Sequence, residues 1–165
     1  MDSTTNDIHY ILLYLLILMG LLCCAKPVFP LWTKLRIRQQ IQQLANNTTV
    51  LTPKQFFKLR NQPIRGSRKK YASQHNFEGV YILYNQTKDM YYVGQAKQVL
   101  NRVNNHFTGK GNGDVYADYK YGDKWTIRMI ALSESPFDTL NELERYVIDA
   151  YNSYEKGYNK NRGNQ

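Results

Sequence analysis

Two alternating apolar runs, Gly79-Val-Tyr-Ile-Leu-Tyr84 and Met90-Tyr-Tyr-Val-Gly94, flank the polar stretch Asn85-Gln-Thr-Lys-Asp89. Alternation with period two marks strands, and the Asn, Thr and Asp between them supply turn chemistry. The pair reads as one hairpin, which puts Tyr81 and Tyr92 on adjacent strands, close enough to share a site. A helix is expected over 97–107, with Arg102 and His106 four residues apart on one face. Trp125-Thr-Ile-Arg-Met-Ile-Ala-Leu132 starts with period two and turns wholly apolar, a third strand. A last helix is expected over 138–151, capped by Asp138 or Thr139, with Glu142 near the capping-box position. The fold class is therefore α/β in the loose sense (α+β): a small domain with a three-stranded sheet, mixed or antiparallel, flanked by helices.

A different pattern precedes this domain. Ile8 to Ala25 is an eighteen-residue stretch in which only His9 is polar. At about 1.5 Å per residue it spans roughly 27 Å, close to a bilayer core of about 30 Å. A buried core helix would need covering on all sides, and the remaining chain is small for that. A cleaved signal peptide would want a basic start, whereas Met1–Asp7 carries two aspartates and no Lys or Arg. An uncleaved, single-pass transmembrane helix at the cell membrane is the expectation. Lys26, Lys34, Arg36 and Arg38 follow it, so the N-terminus should face outward and the folded domain the cytoplasm.

The charge map divides the rest. Residues 26–70 hold eleven Lys and Arg and no acidic residue, whereas 71–165 hold eleven of each sign. The net charge of +9 thus comes from the segment ahead of the domain, which argues against a domain coated in positive charge. We read 26–76 as a basic juxtamembrane linker with short helices, and 77–165 as the folded domain. Ile37, Ile41 and Leu44 mark one linker helix. Thr52 caps another, with Pro53 at its first position and Phe56, Phe57 and Leu59 as apolar contacts. Arg65-Gly-Ser-Arg-Lys-Lys70 is either a linker held near anionic lipid or a non-specific grip on nucleic-acid phosphates. Cys23 and Cys24 are adjacent and the three histidines are far apart, which leaves no disulfide framework and argues against structural zinc.

Taken in order, the motifs GVY, then YVG, then Arg102 eight residues after Gly94, His106, Glu144 and Asn159 resemble the GIY-YIG nuclease family. The resemblance covers about Phe77 to Gly163, with valine in place of isoleucine at both motif centres. It implies a metal-dependent endonuclease that hydrolyses phosphodiester bonds, most readily of DNA, with one ion, Mg²⁺ or Mn²⁺, held by Glu144. Tyr81 matches the family tyrosine at the active centre, and Tyr92 matches the second. Gly94, Lys97 and Asn159 are expected to contact substrate. The alternative is an inactive nucleic-acid-binding module of the same fold, tethered to the membrane.

The chemistry agrees with that resemblance. Arg102 offers a planar pair of donors to phosphate oxygens and keeps its charge at any working pH. A lone carboxylate can hold Mg²⁺ while waters and phosphate fill the shell. A phenol needs cationic neighbours before it can act as a base at neutral pH, so the base role stays open between Tyr81 and His106. Each residue also has a plainer reading. With fourteen tyrosines in the chain, a single one is first a packing residue. Arg102 and His106 could be surface residues, and Glu144 could pair with Arg145. Glu142 lies on another helix face and is assigned no role. Gly109-Lys-Gly-Asn-Gly-Asp114 lacks the spacing of a phosphate-binding loop and reads as flexible. Asn159 could simply shape a turn.

Overall fold

The expected hairpin forms in the computed structural model, which describes residues 28–163, with side chains from residue 31. Strand β1 (Gly79–Asn85) runs antiparallel to β2 (Met90–Ala96), with Tyr81 opposite Gly94 and Asn85 opposite Met90. The turn is closed by Asn85, whose Oδ1 accepts the backbone N–H groups of Thr87 at 2.9 Å and Lys88 at 3.2 Å. Asp89 takes the left-handed conformation at φ 53°, which a short polar side chain tolerates. Strand β3 (Trp125–Ala131) pairs with the other side of β1, giving the order β2-β1-β3 with every pairing antiparallel.

Five helices of eight or more residues and a shorter one accompany the sheet among the described residues. They are α1 (Val28–Asn47), α2 (Pro53–Arg60), α3 (Tyr71–Gln74), α4 (Val99–Phe107), α5 (Gly113–Lys120) and α6 (Leu140–Ala150). A single 3₁₀ turn, Leu132–Glu134, follows β3. Thr52 caps α2 in a reciprocal capping box with Gln55, and the Thr139 hydroxyl accepts the Glu142 N–H at the start of α6. Helix α5 lies where the sequence reads as loop. Its start is fixed by Asn112, whose Oδ1 accepts from Asp114 and Val115.

Strand register assigns the two cores. Tyr81, Leu83, Tyr92, Ile127 and Met129 share one sheet face and pack with Phe56 of α2 and Val99, Leu100, Val103 and Phe107 of α4. Val80, Ile82, Val93, Gln95 and Ile130 share the other, the face taken by α6. Helix α6 buries Leu143, Val147 and Ile148, at the i, i+4, i+5 spacing of an amphipathic stripe.

The chain divides into two compact units, one up to Ile37 and one from Arg38 onward. In the first, Leu31, Trp32 and Leu35 are exposed. In the second, the basic segment read as a linker contributes to the core from its start. Ile41, Ala45 and Phe56 are fully buried, and Leu51 pairs with Ile127 through N–H···O bonds of 3.0 and 2.8 Å. Beyond α6 the chain returns to β2, where Tyr158 N–H donates to Tyr91 O at 2.9 Å. Among the described residues no helix is long and apolar enough to cross a membrane, and Ile8 to Ala25 lies outside them.

Candidate active site

Tyr81 points from the middle of β1 into the face covered by α4 and is 1% exposed. The position opposite is Gly94, where any Cβ would overlap the Tyr81 hydroxyl. The glycine of the second motif is thus explained by space: it makes room for the phenol of the first. Gly94 thus has a packing role beside the substrate contact expected of it.

The Tyr81 hydroxyl lies 2.9 Å from His106 Nε2. His106 itself is fully buried, behind the equally buried Tyr81 phenol, and is not the surface residue of its plainer reading. Its other nitrogen, Nδ1, accepts the backbone N–H of Asn112 at 2.9 Å. A neutral imidazole that accepts at Nδ1 must carry its proton at Nε2. His106 therefore donates to the Tyr81 oxygen, and the Tyr81 proton is left to point elsewhere. Burial, then the Arg102 charge, lowers the His106 pKa from 6.5 to about 4, which keeps the ring neutral.

This shift carries a stability prediction. An unfolded His106 titrates near 6.5 and the folded one near 4, so between those values the unfolded chain binds more protons. The contribution is present above pH 6.5 and is lost as pH falls through about 4. Its full size is about 3 kcal/mol. Urea unfolding at a series of pH values between 7 and 4 should show that decline, and a His106→Gln variant should show less of it.

The glycine-rich loop is not the flexible segment the sequence suggests. A Cβ at Gly111 would overlap the His106 ring, and the next residue, Asn112, supplies the N–H that sets the tautomer. The loop is a brace for His106. The available signal was the Gly-Asn-Gly-Asp run, which carries a helix cap; its partner six residues upstream was not readable.

Around this pair stand Tyr92, Arg102 and Glu144. The rings of Tyr81, Tyr92 and His106 form a cluster with centroids 4.9 to 6.2 Å apart. Arg102 is exposed on α4, and its charge and hydrogen bonding pull the Tyr81 pKa down. Burial outweighs that pull and holds Tyr81 well above the ordinary phenol range. Tyr92 is raised by burial too, opposed by Arg102 and by hydrogen bonding to Tyr81 and Asn112.

Glu144 lies on α6, 8% exposed, and its negative charge is felt at both tyrosines. Its Oε2 accepts Gln95 Nε2 at 2.9 Å, and the same amide donates to Asn141 Oδ1 at 2.8 Å. Gln95 directly follows the motif glycine and points to the α6 face, so it fixes the carboxylate from the sheet side. The sequence analysis missed it, because glutamine beside a motif carries no chemistry of its own until its partner is known.

Of the other residues expected to contact substrate, Asn159 is engaged with the sheet and Lys97 is exposed. Asn159 was expected to bind substrate, but its Oδ1 accepts Val93 N–H at 2.9 Å and its Nδ2 donates to Val93 O at 2.8 Å. Its polar groups serve the sheet. Lys97 is exposed in the bend between β2 and α4, where nothing prevents it from meeting a phosphate. No group of three or more His, Cys, Asp or Glu able to hold a metal occurs among the described residues. A single carboxylate such as Glu144 suits a hard divalent ion that fills its remaining positions with water and phosphate oxygens.

Comparison with known proteins adds two findings. A family profile described as the GIY-YIG catalytic domain matches residues 77–159, half of the chain. A solved structure, the catalytic domain of the intron endonuclease I-TevI as a glutamate-to-alanine mutant, is 26% identical. That match covers 53% of this chain and 96% of the other, with a TM-score of 0.42. No curated protein matches.

Proposed function

Since the chain belongs to the GIY-YIG family, whose domains are nucleases, we propose that it is a membrane-anchored endonuclease that hydrolyses DNA phosphodiester bonds with one divalent ion, Mg²⁺ or Mn²⁺, at Glu144. The observation that carries this reading is the Tyr81–His106 pair, because its hydrogen-bond direction suits a phenolate base. The neutral His106 donates Nε2–H to the Tyr81 oxygen. That donor stays in place when Tyr81 loses its proton, and Arg102 adds positive charge beside it. The phenolate then takes a proton from the attacking water. Tyr81 is thus the base, and His106 positions it.

Arg102, exposed at the rim, binds the non-bridging oxygens as they gain charge. Tyr92 orients the phosphate by hydrogen bonding, and Lys97 adds a charge at the approach. Glu144, oriented by Gln95, would hold the ion, which would supply positive charge to the developing phosphate charge. The apolar Ile8 to Ala25 supports the anchor, and the cations that follow it support a cytoplasmic domain.

The test is plasmid cleavage by the full chain in detergent, with Mg²⁺ or Mn²⁺ and then with excess chelator. Nicking that stops on chelation and resumes when the ion is restored is the expected result. Binding without cutting in either ion would replace this reading with an inactive binding module.

A further inference from the structure

We propose that the loop at residues 62–71 is a second phosphate-binding element, a built cationic ridge that holds the DNA strand beside the cleavage site. The proposal rests on the nuclease reading for the identity of the ligand. It takes its geometry from a part of the chain outside the matched family region.

The loop is ordered by its own backbone. Pro63 bridges Lys70, Tyr71 N–H donates to Gln62 O at 2.8 Å, and Ile64 N–H donates to Lys69 O at 3.2 Å. Its tip is a turn closed by Ser67 N–H to Ile64 O at 3.0 Å. Gly66 adopts φ 75° there, a conformation that favours glycine. From this frame Arg65, Arg68, Lys69 and Lys70 all project as exposed side chains. A solvated linker would have no reason to hold four cations on so tight a turn.

Both roots of the loop are tied to one place. On the way in, Arg60 Nη2 donates to Asn101 Oδ1 at 3.2 Å. On the way out, Asn76 Oδ1 accepts Leu100 N–H at 2.9 Å, and Phe77 O accepts Val99 N–H at 3.0 Å. Residues 99–101 begin α4, and the next residue is Arg102. The chain on both sides of the cationic loop is therefore tied to the first turn of the helix that presents Arg102. Residues 26–70 hold no carboxylate to neutralise them. Rows of exposed cations that follow a backbone bind nucleic acid with little regard to sequence.

The test uses the full chain in neutral detergent, with a fluorescent DNA duplex and chelator present, so that binding is read without cleavage. A quadruple variant, R65A/R68A/K69A/K70A, is expected to raise Kd at least tenfold. It should also reduce the slope of log Kd against log salt by about 3.6, near 0.9 per lost contact. The double variant R68A/K69A touches exposed side chains only and should reduce the slope by about 2. The swap R65K/R68K/K69R/K70R should bind like the parent, because phosphate attraction here needs charge more than shape.

An unchanged Kd and slope in both alanine variants would overturn the proposal. So would a loss confined to vesicles containing phosphatidylserine, which would assign the ridge to lipid. The two readings fail separately. A parent that binds through the ridge and never cuts sinks the nuclease, whereas a quadruple variant that binds and cuts like the parent sinks the ridge.

Discussion

Tyr81→Phe is expected to lower kcat by about 10²–10⁴-fold, with KM close to that of the parent. The ring keeps its place against Gly94 and the α4 core, so the fold loses only one buried hydrogen bond. That loss leaves His106 Nε2–H without its acceptor, at about 1–3 kcal/mol of stability. The rate falls because the attacking water has lost its proton acceptor. A pH profile separates this role from a packing one. Burial raises the Tyr81 pKa, so at neutral pH only a small fraction is ionised, and kcat/KM of the parent should climb with pH, about tenfold per unit. In the variant that climb should vanish. A phenylalanine enzyme with the parent's rate and pH slope would remove Tyr81 from the base role, and buried His106 could not replace it without leaving its place.

Glu144→Gln is the second large effect, with cleavage reduced by about 10²–10⁴-fold. The substitution keeps the side chain's size, and its amide oxygen can still accept from Gln95. What it removes is the negative charge proposed to hold the ion. Cleavage rate and Mn²⁺ binding should fall together. If the rate falls while Mn²⁺ binds as before, the ion is held elsewhere. A variant that cuts at the parent's rate would sink the assignment outright. Gln95→Ala should show a milder form of the same defect, since it loosens the carboxylate without discharging it.

Much of this site is legible in the sequence, because its strongest signals are local. Period-two runs give β1, β2 and β3, and capping residues give the starts of α2 and α6. What escapes has a common cause, which is dependence on a partner distant in the chain. Gln95 acquires its meaning from Glu144, and Asn159 from the backbone of Val93. Helix α5 escapes for a local reason. Only Val115 is buried along its eight residues, so no apolar period announces it behind the glycines. The basic segment misleads because its charges are dense while its core residues, Ile41, Ala45 and Phe56, are widely spaced. Charge reads as linker, and a few widely spaced buried side chains are enough to make it part of the fold.

The bonds at the two outer strands have a consequence for assembly. An unpaired strand margin is a template on which another chain can add a strand. Here β2 already has Tyr91 O and both backbone groups of Val93 engaged by Tyr158 and Asn159. On the far margin, Ile127 of β3 exchanges both of its bonds with Leu51. The chain thus covers part of both margins with its own short segments, which shortens the ladder that a second copy could extend. For copies crowded at high local concentration, these segments stand in the way of edge-to-edge pairing at Val93 and Ile127.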